Sequence, residues 1–172
     1  PAPTPTVTPS PAPRELILGC APSPDGQWLA VADDLGVRVY ETTSYRAVWR
    51  APLAGMSEEL RYNQVRMAWS ADSTALTVAI SQLIYDPVRF VAHLSRFDAL
   101  SGQLLWQQSF EDLPHVAFTP DGNHFLLMSL HLDAAELWDG VAPERTGTLE
   151  LPQYALLQWP RTQNWSPDGS LF

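Results

Sequence analysis

One short turn recurs four times along this chain, and its spacing constrains the fold more than any other feature. The copies begin at positions 23, 70, 119 and 166, so they lie 47, 49 and 47 residues apart. Three of the copies read Ser/Thr-Pro-Asp-Gly, in which proline presets φ, aspartate caps the local backbone and glycine tolerates a positive φ, which together predict a tight turn; the second copy reads Ser-Ala-Asp-Ser. A near-constant period of this size indicates a repeat architecture. The turn residues are Ser23, Asp25 and Gly26, then Ser70 and Asp72, then Thr119, Asp121 and Gly122, and finally Ser166, Asp168 and Gly169.

The segments around each turn also repeat, and they predict four strands per unit. The apolar runs before and after the turn form a hairpin, and the second run, such as 29–32, is predicted to be a buried inner strand. A third strand ends in an aromatic residue followed by an acid, and in the first two units Trp stands eight residues past that acid. The aromatic-acid pairs are Tyr40-Glu41, Phe97-Asp98 and Trp138-Asp139, and fourth strands are predicted at 46–49, 103–106 and 148–151.

This pattern resembles the WD40 repeat over about residues 14–172. The resemblance implies an all-β fold, a β-propeller whose blades are four-stranded antiparallel sheets arranged around a channel. No unit opens with the Gly-His pair of many WD40 repeats, and only Trp138-Asp139 is a literal Trp-Asp pair. The chain therefore looks like a bacterial-type, WD40-like propeller. The run 98–106 also resembles a quinoprotein-type propeller repeat.

The repeats divide the chain into a linker and about three and a half blades. Residues 1–13 alternate proline with small or β-branched residues, which predicts an extended tether to a domain upstream. The blades are predicted at about 14–53, 63–109 and 113–152, with the start of a fourth at 160–172. Propellers close with about four to eight blades. We therefore expect either a piece of a longer protein, which a break within a hairpin favours, or self-association that completes a ring.

The charge balance and the cysteine count exclude several classes of function. Nineteen acidic residues against ten basic ones give a net charge of −9. A surface this acidic repels phosphate backbones, so we expect no nucleic-acid partner. Cys20 is the only cysteine, which excludes an internal disulfide and a cysteine metal cluster. No stretch approaches the ~20 apolar residues of a membrane span, so we expect no direct membrane insertion.

Signatures of catalysis or metal binding are sparse. The sequence contains no nucleophile elbow, zinc-protease motif or phosphate loop, so we expect no catalytic residues and no cofactor. The histidines are spaced like ordinary surface or core residues rather than a shared metal site. Paired carboxylates fall at predicted turns, where solvated charge is expected. The histidines are His93, His115, His124 and His131, and the carboxylate pairs lie at 33–34, 58–59 and 111–112.

The second unit carries the most unusual connection. Between its second and third strands, around 81–89, it is about ten residues longer than the first unit. This segment is either a binding loop or a longer hairpin whose strands extend further. If it binds, Tyr85, Asp86 and Arg89 are the residues we expect to contact a partner, since tyrosine and arginine are enriched at hot spots. The connection between the first two units contributes Arg61 and Tyr62 to the residues expected to contact a partner, on the same or the opposite rim of the propeller.

We expect a non-catalytic interaction module, a scaffold or sensor that binds protein or peptide. Its motif residues are folding devices, and the tether joins it to a larger protein. The resemblance leaves two alternatives open. In the first, the propeller controls the access of substrate to an α/β-hydrolase peptidase domain. In the second, the propeller belongs to a quinoprotein-type oxidoreductase. The linker and the scarcity of cysteine favour an extracytoplasmic setting.

Overall fold

The part of the chain that the structure describes forms three four-stranded antiparallel sheets. The computed structural model describes residues 16–56, 64–85, 87–113, 115–128 and 134–150. Every regular element within those ranges is a β-strand, which confirms the all-β prediction. We call the sheets blades 1, 2 and 3 in chain order. The predicted linker and the predicted start of a fourth blade, which includes Ser166, Asp168 and Gly169, lie outside the described residues.

Each blade is a meander in which consecutive strands are neighbours. Such a meander needs only tight turns, and the repeated turn motif supplies them. Blade 1 contains β1 (Ile17–Pro22), β2 (Trp28–Asp33), β3 (Gly36–Glu41) and β4 (Ala47–Ala51); blade 2 contains β5 (Gln64–Trp69), β6 (Ala75–Tyr85), β7 (Val88–Asp98) and β8 (Leu104–Glu111); blade 3 contains β9 (His115–Phe118), β10 (His124–Met128), β11 (Ala134–Asp139) and β12 (Arg145–Glu150).

The outer strands share one register in all three blades. Val39 pairs with Trp49, Arg96 with Trp106, and Leu137 with Gly147, and each pair is followed by the same ladder irregularity. Gly147 therefore occupies the position that tryptophan holds in the other two blades. The common register also starts β12 at Arg145, earlier than the predicted strand at 148–151, because the third unit has no tryptophan to mark that strand.

Apolar side chains between adjacent blades form the core. The first strands lie side by side, since β1 contacts β5 and β5 contacts β9. One cluster joins blade 1 to blade 2, a second joins blade 2 to blade 3, and a third lies on the opposite face of blade 3. Their largest fully buried members are Leu76, Val37 and Ile80 in the first, Phe125, Leu94 and Leu127 in the second, and Leu126 and Met128 in the third.

Tryptophan side chains hydrogen-bond one blade to the next. The indole of Trp49 on β4 donates to the carbonyl of Ala99 in blade 2 at 2.7 Å, and the indole of Trp106 on β8 donates to Gly140 in blade 3 at 2.9 Å. Near the first strands, Trp69 donates to the carbonyl of Ala21 at 2.9 Å. Each indole thus combines a large apolar contact with one directional bond to the neighbouring backbone.

A buried arginine joins blades 2 and 3. Arg96 donates to Thr77 at 3.0 Å within its own blade, and to the carbonyl of Gly122 at 3.1 Å and the side chain of Asn123 at 3.3 Å in blade 3. Burial lowers the pKa of its guanidinium, and three nearby carboxylates oppose that effect. The equivalent residues in the other two described blades are Val39 and Leu137, so among these blades the charged contact forms at a single junction.

We expect Gly122→Ala to destabilise the protein by about 2–4 kcal/mol and Gly26→Ala by about 1 kcal/mol. Both glycines have positive φ, 63° and 72°, so a side chain is strained at either position. Only at Gly122 would a new Cβ overlap the backbone of a neighbouring blade, at the carbonyl of Trp69. Urea unfolding of the two variants measures the difference. Equal losses would show that the turn does not pack between blades as described.

Candidate functional site

The long connection of blade 2 is a hairpin rather than a loop. The register runs without interruption from Ala75 opposite Asp98 to Tyr85 opposite Val88. Repeat spacing places Ile80 and His93 at the level where the β2–β3 hairpin of blade 1 ends. Five further residue pairs lie beyond that level, so the hairpin projects about 16 Å further than its neighbour. A hydrogen-bonded ladder holds the tip on a rigid support, whereas a loop would not.

The tip of this hairpin exposes apolar side chains. Tyr85 is 49% exposed and Val88 is 71% exposed, and they face each other across the last pair of the ladder. Ile84 and Phe90 below them are partly buried. Tyrosine is a frequent interface anchor because it presents a large rigid surface with one polar group. Asp86, at the turn itself, lies outside the described residues.

Arg89, one of the predicted contact residues, forms an ion pair with the neighbouring strand. Its guanidinium lies 3.3 Å from the carboxylate of Glu111 at the end of β8, and both side chains are exposed. The backbone N–H of Asp112 donates to the carbonyl of Phe90 at 2.8 Å and continues the ladder past β8. An exposed ion pair contributes about 0–1 kcal/mol, so the backbone bonds hold the hairpin more firmly than the charges do.

The start of the connection between blades 1 and 2 lies on the same rim as the hairpin. A Cβ at Gly36, the first residue of β3, would overlap the carbonyl of Ala51, where the connection begins. Gly55, further along the connection, lies against the imidazole of His93 on β7. Arg61 and Tyr62, the two residues predicted to contribute from this connection, lie outside the described residues.

His93 is half-buried beneath that connection. Its Nδ1 lies 2.7 Å from the hydroxyl of Ser109 on β8. Burial lowers the pKa of His93, because the charged imidazolium loses part of its hydration. Sequence reasoning did not single out this contact. Only the pairing of His93 with Ser109 across β7 and β8 brings the two side chains together.

The repeated turn residues hold the backbone on the opposite rim. In blade 2 the hydroxyl of Ser70 donates to Asp72 at 2.6 Å, Ser70 accepts the N–H of Ala75 at 2.9 Å, and Asp72 accepts the N–H of Thr74 at 3.1 Å. Hydrogen bonds from Ser70 and Thr74 lower the pKa of Asp72 to about 2. The same arrangement recurs in blade 1 with Ser23, Asp25, Gln27 and Trp28, and in blade 3 with Thr119, Asp121, Asn123 and His124.

The literal Trp-Asp pair also has local partners. The Trp138 indole donates to Glu136 at 3.1 Å, and its ring stacks on Phe125 with centroids 6.2 Å apart. Asp139 accepts the N–H of Val141 at 2.6 Å and caps the turn that follows β11. Through these contacts, both residues stabilise the structure of blade 3.

One prediction about the paired carboxylates is wrong. Asp33 was expected to be solvated at a turn, but its residue is 2% exposed. It accepts the N–H of Leu35 at 2.8 Å, and its other oxygen lies 3.0 Å from the guanidinium of Arg38. Strand alternation places Asp33, the last residue of β2, on the face opposite Ala30 and Ala32, so the sequence pattern does not reveal its burial. The pair at 58–59 lies outside the described residues.

Within the described ranges, no three His, Cys, Asp or Glu side chains are placed to share a metal ion. The same part of the chain contains no helix that is long and apolar enough to cross a membrane.

Comparisons with known proteins identify the architecture. A scan against protein-family models gave no match, and a search of curated proteins gave none either. Solved structures do match. The WD40 repeats of RRP9 are 17% identical with a TM-score of 0.56, over 83% of this chain and 41% of that one. The WD40 domain of Toxoplasma gondii coronin is 9% identical with a TM-score of 0.57, over 81% and 36%.

The fold is that of a WD40-type β-propeller, present in part. Hydrazine synthase from Kuenenia stuttgartiensis also matches, with 16% identity and a TM-score of 0.56, over 95% of this chain and 42% of that one. At such identities the likeness concerns the fold alone. The chain spans 36–42% of the length of these three structures.

We expect His93→Gln to reduce the loss of stability that this propeller undergoes in mild acid. The folded state lowers the pKa of His93 below 6.5, so the unfolded chain binds the proton more tightly. His93 therefore contributes its full stability above about pH 6.5, and that contribution falls as the pH drops through the lowered pKa. Urea unfolding at pH 7.5, 6.5 and 5.5 measures the slope.

The matched comparison for this measurement is His115→Gln. Burial, and then the charge of Arg66, lower the pKa of His115 as well, so this variant loses the acid dependence of His115 and retains that of His93. The free energies of unfolding of the His93→Gln variant and the wild type should converge toward pH 5.5. An unchanged slope in His93→Gln would contradict the buried position of the imidazole beneath Gly55.

Proposed function

We propose that this chain is a non-catalytic protein-interaction module whose β6–β7 hairpin tip contacts a protein or peptide partner. The observation that carries the proposal is the exposed pair of Tyr85 and Val88 at the end of a continuous ladder. A rigid apolar tip offers a partner contact area with little ordering cost, which is how small anchors contribute most of the affinity at interfaces.

The likeness to WD40 propellers supports an interaction or scaffold role at a general level. The described motif residues agree with it, because the hydroxyls and carboxylates of the repeated turns bond to their own backbone. The net charge of −9 favours a partner with basic or neutral contact residues over a nucleic acid. We further propose that the module belongs to a larger protein, joined through residues 1–13, and that blades from the same or a second chain complete the ring.

A second candidate is a propeller that serves an enzyme. The match to hydrazine synthase, which covers 95% of this chain, favours this possibility. In that case the rim that carries the hairpin would control access to a catalytic partner domain, as in the α/β-hydrolase alternative. A hydrolase or oxidoreductase domain in the same reading frame would establish it, and a second non-catalytic domain would favour the scaffold role.

We expect Tyr85→Ala to weaken the binding of rim-directed peptides by about tenfold or more. Peptides selected from a displayed library against the full chain provide the probe, and fluorescence anisotropy measures each affinity. Truncation of Tyr85 removes the aromatic surface at the tip and leaves the ladder intact.

Leu35→Ala is the matched control. Leu35 is an exposed apolar residue in the β2–β3 turn. This turn lies in blade 1 at the level where the extra length of the β6–β7 hairpin begins in blade 2. Its loss should change affinity by less than about twofold if the hairpin tip is the contact. If the two variants behave alike for every selected peptide, the hairpin tip is not the binding site.

A further inference from the structure

The outer strands of the three blades differ in how they protect their free edges. Each of β4, β8 and β12 ends its sheet among the described residues, so each presents a row of unpaired backbone groups. Natural proteins shield such rows with short strands, charges or proline, because an open edge pairs with other chains. β4 has five residues that include Arg50, and Pro52 follows it; β12 has six, bounded by Arg145 and Glu150.

β8 lacks these protections. It is eight residues long, and its first seven, Leu104 to Phe110, contain no charge and no proline. Leu104 is 45% exposed and Leu105 is 52% exposed. Glu111 at the far end has a charge, but the side chain is paired with Arg89. An uncharged strand of this length is the kind of edge that accepts an added strand.

The ladder geometry identifies which groups of β8 face outward. The N–H of Asp112 donates to the carbonyl of Phe90, and pairs along an antiparallel ladder alternate between bonded and non-bonded. Because the pair of Asp112 and Phe90 is bonded, the alternation makes the pairs that Gln107 and Ser109 form with β7 non-bonded. Their N–H and C=O groups therefore point away from β7 toward the free edge. The residues equivalent to Gln107 are Arg50 in blade 1 and Thr148 in blade 3.

Charge at the two ends of β8 selects the chemistry of the added strand. Asp98 precedes the strand, and Asp112 follows it directly. Hydrogen bonds from Ser101 lower the pKa of Asp98, so its carboxylate is ionised at neutral pH. The chain as a whole is also acidic, with a net charge of −9. A strand with an uncharged middle and basic ends complements this edge, whereas a proline-rich segment lacks the N–H groups it requires.

We propose that the free edge of β8 binds an extended peptide of a partner protein, with an uncharged middle of about six residues and a basic residue at each end. The peptide adds a fifth strand to blade 2. Backbone hydrogen bonds to Gln107 and Ser109 supply the pairing, and Leu104 and Leu105 contact alternate side chains of the peptide. The inference rests on the proposed interaction role but concerns a different surface from the hairpin tip.

The test uses the full chain and a fluorescent octapeptide, Arg-Thr-Val-Thr-Val-Thr-Val-Arg. Gln107→Pro removes an outward N–H without removing a bond to β7, so we expect at least about tenfold weaker binding. Thr148→Pro makes the same change at the equivalent edge of blade 3 and should alter the affinity by less than about twofold. Thermal unfolding of each variant confirms that the blades remain folded.

A second variant keeps the backbone donor. Gln107→Lys places a positive charge on the edge, so we expect the Arg-ended peptide to bind about threefold weaker and a Glu-ended version to bind tighter than it does to the wild type. Equal affinity of the Arg-ended peptide for the wild type and both Gln107 variants overturns the proposal. The proposal is also overturned if the chain dimerises in sedimentation and Gln107→Pro abolishes the dimer, because a second copy would then be the occupant of the edge.

Tyr85→Ala separates this inference from the proposed function. It should leave octapeptide binding within about twofold, because the hairpin tip lies outside the β8 edge. If the octapeptide fails to bind while peptides selected at the hairpin tip still do, the edge inference fails and the interaction role stands. If Tyr85→Ala abolishes octapeptide binding, the hairpin is the site and the edge inference is wrong.

Discussion

The packing of one blade against the next is the interaction on which this fold depends. A blade here is apolar on both faces: in β10, Phe125 and Leu127 pack toward blade 2, while Leu126 and Met128 belong to the opposite cluster. One sheet cannot bury two faces by itself, so stability resides in the junctions. The indole bond from Trp106 to Gly140 fixes how far one blade slides along the next, since a buried donor left unpaired costs about 1–3 kcal/mol.

The junctions share a plan but are not interchangeable. Where blades 1 and 2 meet, Gly102 lies so close beneath Trp49 that a Cβ there would be 2.6 Å from the indole ring. The equivalent residue in blade 1 is Tyr45, which keeps the same positive φ, 56° against 69°, and is 83% exposed. Gly147 likewise replaces the outer tryptophan in blade 3. Trp49 and Trp106 therefore join the three described blades to one another in a fixed order. Where these blades have no described neighbour, Tyr45 in blade 1 stands in place of the glycine and Gly147 in blade 3 stands in place of the tryptophan.

Much of the fold could be predicted from local chemistry, and the site much less so. The turn at Ser70 and Asp72 was predictable because its bonds join residues within five positions of each other. Ser73 shows how far that reasoning extends. It replaces glycine, keeps a φ of 60°, and accepts the N–H of Asp25 from blade 1, a contact that no local pattern indicates. The role of Arg96 at the junction could not be predicted for a similar reason, since its partners lie in another blade. The alternation of Arg96 with Ala92 and Leu94 does mark the face that packs on blade 3.

The sequence by itself determined the repeat, the meander within each blade and the tryptophan positions on β4 and β8, because these follow from spacing and from bonds between near neighbours. Only the tertiary structure decided that 81–89 extends a ladder, that Asp33 is buried and that Gly147 stands opposite Leu137. It also decided which edge is left unprotected. Those properties depend on what each strand meets across a junction or a register, and the partners are distant in the chain and are brought together only when the blades pack.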